Sequence, residues 1–222
     1  MKRRILPSIG LLAWLAASGQ PTRLAVEIPR QEQPHLDAFI NAEPHASLPA
    51  GEFWTQPLQD GRASRARVEM LESVRALVKQ GAPIRVTAFD DESVAGQQPR
   101  EKAMADNILA ARRAGETTIV LVGNLHARTV PGAPWDPKVV WMSVFLRDSE
   151  PQLLTLDTRY TAGEAWICSG PKPEDCGVKP VKGKGAGEAW QVERYAQGDS
   201  NGYGGVFQTG KAVVSRPAKE SE

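Results

Sequence analysis

Three short apolar runs constrain this chain more than any other feature. They are Thr22-Arg23-Leu24-Ala25-Val26-Glu27-Ile28-Pro29, Ile84-Arg85-Val86-Thr87-Ala88-Phe89 and Thr117-Thr118-Ile119-Val120-Leu121-Val122. Each is rich in aliphatic and β-branched residues and too short for a core helix, so each reads as a buried strand. The stretches between them have helical spacing. Arg65 to Gln80 repeats Val68, Leu71, Val74, Leu77 and Val78 on one face before Gly81. Arg100 to Ala114, introduced by Pro99 and closed by Gly115, aligns Met104, Ile108 and Ala111. A shorter helix is expected around Leu36 to Ile40. Strands with no polar face, alternating with helices, predict an α/β fold, a three-layer sandwich around a mainly parallel sheet. The third run is the most apolar and reads as a central strand.

With 222 residues, 41% of them hydrophobic, the chain can bury one substantial core, and positions 1–222 are read as a single domain. Twenty-seven basic and 26 acidic residues leave a formal charge of +1, which argues against a nucleic-acid partner. At the amino terminus, Met1-Lys2-Arg3-Arg4 and the apolar run Ile5 to Ala17 have two readings. One is a secretory leader, which implies a periplasmic or secreted protein; the other is a first helix packed on the sheet, within residues 1–20. The run is too short to span a membrane. Further on, Val139 to Phe145 reads as a helix and Leu153 to Leu156 as a strand. Residues 160–222 are Gly-, Pro- and Lys-rich and read as loops, with Lys179 to Gly187 a mobile surface loop and Gly202 to Gly205 a set of turns. Cys168 and Cys176 would close a small disulfide loop in an exported protein, stay free thiols in the cytosol, or contribute two ligands to zinc.

In parallel sheets, ligands bind beyond the carboxyl ends of the strands. Glu27, Asp90 and His126 each stand at or just past such an end. Two carboxylates and an imidazole in one crevice suit metal-assisted or general-base hydrolysis, with Glu27, Asp90 and His126 as catalytic candidates and His126 and Glu27 as metal ligands. Asp60, Arg62, Arg100 and Asn124 are the ligand-binding candidates. The competing structural roles are loop capping for Asp90 or Asp91, and ion pairing with these acids for Arg62 and Arg100. Phosphate-binding glycine loops, nucleophile elbows and paired-cysteine zinc knuckles are all missing from the sequence, which removes several enzyme classes.

Leu24-Ala25-Val26-Glu27-Ile28-Pro29, Asp60-Gly61-Arg62-Ala63-Ser64, Phe89-Asp90, Arg100-Glu101 with Met104-Ala105, and Gly123-Asn124-Leu125-His126-Ala127 occur in an order that resembles the ChaN-like and erythromycin-esterase-like superfamily. That superfamily includes haem-binding iron-uptake lipoproteins, macrolide esterases and the Tiki metalloproteases. The resemblance covers roughly residues 10 to 215. It implies that Gly123 to His126 is the later of two Gly-x-x-His motifs and that Glu27 is the glutamate between them. The first motif has no counterpart here, so the resemblance implies a fold truncated at the amino terminus and favours a first helix over a leader. Three functions follow as expectations. One is haem, iron or divalent-metal binding through His126, Glu27 or a tyrosine such as Tyr160. The second is an esterase- or metalloprotease-like hydrolase using His126 and Glu27, and the third is an inactive relative. The expected partner is a small molecule or metal; homo-oligomerisation is left open.

Overall fold

A computed structural model of the chain describes residues 7–41, 51–56, 58–186 and 190–219. Its first sheet is built from β1 (Thr22–Pro29), β2 (Ile84–Asp90) and β3 (Thr117–Leu121), all parallel, in the order β2-β1-β3. Every residue of β1 is buried, because β1 is paired on both edges and covered on both faces. Alternation along the strands divides the core in two. Leu24, Val26, Ile28, Ile84 and Val86 face a layer formed by α1 (Pro7–Ala17), α2 (Gln33–Asn41) and α4 (Arg65–Lys79), through Leu12, Leu36, Phe39, Met70, Leu71 and Val74. Ala25 and Phe89 face α5 (Gln97–Ala110) and α6 (Met142–Ser149), through Met104, Ala105, Ile108, Met142 and Leu146. Helix α3 (Glu52–Thr55) adds Phe53 and Trp54 to the first layer. The three-layer α/β arrangement expected from the apolar runs is therefore present. No helix among the described residues is long and apolar enough to cross a membrane.

Several expectations are corrected. The central strand is β1; β3 is paired on one side only among the described residues, and its side chains stay half-exposed. Apolarity alone did not distinguish them, because β1 carries Arg23 and Glu27 and still lies at the centre. Arg23 is accommodated there by donating to the Ile108 carbonyl at 2.8 Å and to Thr118 Oγ1. Helix α5 starts at Gln97, ahead of Pro99, since proline is tolerated throughout the first turn, where N–H groups lack intrahelical partners. It ends at Ala110, where Arg23 and Arg85 donate to the Ile108 and Ala111 carbonyls at its carboxyl end. Helix α6 begins at Met142, not Val139, because the Met142 amide donates to the buried Glu101 carboxylate at 2.9 Å and so has its start fixed there. The apolar stretch Leu12 to Ala16 does form a helix, packed on α4 and β1. Met1 to Arg4, on which the leader reading rests, lie outside the described residues.

The larger correction concerns residues 160–222. Instead of loops, a second sheet runs in the order β5-β4-β7-β6, with β4 (Leu156–Cys168), β5 (Cys176–Lys182), β6 (Gln191–Arg194) and β7 (Gly205–Ala212). Strand β4 is parallel to β7, and the other pairings are antiparallel. Lys179 to Lys182 therefore belong to β5, and Gly187 lies outside the described residues. Leu153 to Thr155 precede β4 and are not strand. Pro180 sits in β5, an edge strand, where proline is tolerated. Cys168 and Cys176 face each other across β4 and β5 and form a disulfide.

Candidate functional site

The chain leaves β1 toward the α2/α4 layer and leaves β3 toward the α6 layer, so a crevice opens at the carboxyl ends of these neighbouring strands. Glu27, near the end of β1, anchors it. Its Oε2 accepts the Gly123 amide at 2.8 Å, just after β3. From Gly123 the chain enters a single 3-10 turn, Asn124–Ala127, closed by the His126 amide donating to the Gly123 carbonyl. The three-residue spacing turns the His126 side chain back over the strand end. Its Nε2 comes within 3.8 Å of Glu27 Oε1, while its Nδ1 lies 2.8 Å from both carboxylate oxygens of Glu101. The Trp141 ring stands edge-on against the imidazole, 6.3 Å away.

Two guanidiniums complete the crevice. Arg100 grips the fully buried Asp90 with two bonds, Nε to Oδ1 at 2.9 Å and Nη2 to Oδ2 at 2.6 Å. Arg62 donates to the same carboxylate at 2.8 Å, and also to Asp60 and Glu92. Arg62 Nη1 and Arg100 Nη2 each lie 3.9 Å from Glu27 Oε1. That oxygen is thus faced by two guanidiniums and an imidazole, all slightly beyond direct hydrogen-bonding distance, a separation that one oxygen atom can bridge.

The electrostatics are cooperative. Burial pushes the His126 pKa down, but its hydrogen bond to Glu101 and the charges of Glu101 and Glu27 outweigh it and hold the imidazole above its ordinary 6.5. Burial likewise opposes the charge on Arg62, yet Asp60, Glu92 and Glu27 raise its pKa; Asp90 does the same for Arg100.

Glu27, Asp90, Arg62, Arg100 and His126 therefore do converge. Asp90 contributes by holding both arginines, with its second oxygen also taking the Asp91 amide, and does not reach His126 with a free oxygen. Asp60 stands behind Arg62 toward solvent. The Asn124 side chain points to the second sheet, donating to Asp157 and to the Thr158 carbonyl, and Tyr203 donates to the Asn124 carbonyl at 2.7 Å. Tyr160 belongs to β4.

Sequence reasoning missed two residues. Glu101 is wholly buried, orients His126 and fixes the start of α6. Arg67, in the first turn of α4, has Glu27, Arg62 and Asp60 as its charged neighbours. The same signal marks both. Glu101 precedes Met104, Ala105 and Ile108, and Arg67 precedes Met70, Leu71 and Val74, at the i, i+3, i+4, i+7 spacing of a buried helix stripe. Each helix leads into a parallel strand, so its first turn lies beside the strands' carboxyl ends. An ionisable residue heading the stripe of such a helix is thereby aimed at the crevice.

A groove of ≈ 360 Å³ lies at the other end of the sheet, lined in part by Arg23, Thr118, Leu146 and Leu153, and takes no part in this site. Among the described residues, no group of three or more His, Cys, Asp and Glu side chains is placed to hold a metal ion. The donor set also disfavours a cation: a divalent ion shared by Glu27 and His126 would face two guanidiniums, each 3.9 Å from the ligating carboxylate oxygen. Compared with known protein families, with curated proteins and with solved structures, the chain finds no match in any of the three.

Proposed function

We propose that the chain is a hydrolase of the ester-cleaving type, with His126 as general base. The observation that carries this reading is the line Glu101, His126, Glu27 beside two arginines at the strand ends. Glu101 holds the proton on Nδ1, which leaves Nε2 as the proton-accepting nitrogen of the neutral ring. A water bridging Nε2 and Glu27 Oε1 gives its proton to Nε2 as its oxygen bonds to the ester carbonyl carbon. Glu27 and Glu101 stabilise the imidazolium so formed. Arg62 and Arg100, fixed by Asp90, receive the negative charge that develops on the carbonyl oxygen. Collapse of the tetrahedral intermediate breaks the bond to the leaving alkoxide, which takes the proton back from Nε2. Haem or metal ligation through His126 is the weaker reading, because Nδ1 is committed to Glu101 and guanidiniums surround the remaining donors.

The test is hydrolysis of a panel of p-nitrophenyl esters by the intact chain and by His126→Ala, Glu27→Gln and Glu101→Gln. His126→Ala is expected to lower kcat by about 10²- to 10⁴-fold. Hydrolysis that survives unchanged in His126→Ala overturns the proposal. Haemin titration in parallel should give no Soret band that depends on His126.

A further inference from the structure

Around Glu27, three guanidiniums, those of Arg62, Arg67 and Arg100, meet two buried carboxylates, Glu27 and Asp90. Asp60 and Glu92 also pair with Arg62, each at 2.7 Å, so the charge of Arg62 is matched within the cluster. His126 and Glu101 balance each other when the imidazole is protonated.

Arg62 and Arg100 are committed to Asp90, whereas Arg67 Nη1 is closed off from solvent and has no hydrogen-bond partner among the described residues, although the residue as a whole is partly exposed. Burial, helped by Arg62 and opposed by Glu27 and Asp60, holds its pKa below the ordinary value. A buried charged donor left unpaired is costlier than a neutral one, and an incoming oxygen acceptor relieves that cost. The planar fork of a guanidinium suits carboxylate and phosphate alike.

We propose that Arg67 binds an oxyanion carried by the ligand of this site, a carboxylate or a phosphate. Calling that ligand the substrate rests on the hydrolytic reading; the anion site does not.

The experiment has two arms, each run on the intact chain, Arg67→Met and Arg67→Lys, with folding checked by circular dichroism. In the first, inorganic phosphate and acetate are titrated by calorimetry at fixed ionic strength. One of them should bind, at least tenfold more weakly in Arg67→Met and at least threefold more weakly in Arg67→Lys, and the stronger binder identifies the oxyanion. The second compares p-nitrophenyl acetate with its hemisuccinate analogue, which carries a free carboxylate. The anionic ester should be preferred by at least tenfold in kcat/KM, a preference that Arg67→Met removes. Anion binding without hydrolysis of either ester would remove the hydrolytic reading and support the anion site. Equal hydrolysis of both esters, with no anion bound and no effect of Arg67→Met, would remove the anion site and leave the hydrolase. Should Arg67→Met fail to fold, unchanged binding in Arg67→Lys overturns the proposal.

Discussion

Glu101 connects two tasks through one buried carboxylate. It accepts from His126 Nδ1 and also from the first amide of α6, so the imidazole and the helix that follows it are set by the same oxygens. Because the fold raises the His126 pKa above 6.5, the protonated imidazole is stabilised by folding. That contribution is complete below pH 6.5 and is lost as pH rises through the folded-state value. Denaturant unfolding across pH 5.5 to 9 should therefore show stability falling through this window, and His126→Gln should flatten that part of the curve; an identical slope in the variant refutes the linkage. Catalysis by the neutral ring has the opposite sign. Activity should rise over the same window, with its acid limb above pH 6.5, and Glu101→Gln should move that limb to lower pH, because a neutral amide no longer favours the imidazolium.

Strand β1 is the element on which the rest depends. It is paired on both edges and covered on both faces, and it carries Leu24 and Val26 into one core and Glu27 into the crevice. Leu24 is fully buried, so Leu24→Ala should destabilise the chain by about 2–5 kcal/mol, measured as a shift in the denaturation midpoint. A cost well under 1 kcal/mol would mean that this core collapses around the missing side chain. The crossover helices matter in a different way. Helix α4 has no side-chain cap from Ser64. Its Arg65 and Ala66 amides donate instead to the Arg216 carbonyl and Ser215 Oγ, so the last described segment secures the turn that carries Arg67. Gly81 ends the same helix at φ +89°, a conformation that glycine adopts without a Cβ penalty.

At the scale of the molecule, two sheets of different character meet at the Gly123 to His126 turn. The first is buried and parallel; the second has few fully buried side chains, and β6 is wholly exposed. They are joined by Asn124 to Asp157, Tyr203 to Asn124, and Trp166 Nε1 to the Gln59 carbonyl. The disulfide closes a loop of eight residues' separation within the second sheet, and a loop of that size contributes about 2–3 kcal/mol. Reducing it should lower the thermal midpoint and speed amide exchange in β4 and β5, with β1 to β3 protected as before. Uniform loss of protection across both sheets would show that the two unfold together.

The division between sequence and structure follows the range of the forces involved. Unbroken apolar runs and helix stripes are local patterns, so β1, β2, β3, α4 and the three-layer arrangement were legible, as were Glu27, Asp90 and His126 at the strand ends and Arg62 and Arg100 as their basic companions. The second sheet was not, because β4 to β7 gain little from burial and are held by pairing, including the parallel β4–β7 contact between segments roughly fifty residues apart. Nor could local patterns rank β1 above β3, since strand order depends on which edges are covered. By itself the sequence determined which residues are aimed at the crevice: the strand-end acids and histidine, and, read more closely, the ionisable heads of two helix stripes. Only the tertiary structure decided their partners, giving Asp90 to the arginines, Glu101 to His126, and, among the described residues, no hydrogen-bond partner to Arg67 Nη1. Hydrogen bonds and charge pairs act over a few ångströms, and residues far apart in sequence reach that separation only after the layers have packed.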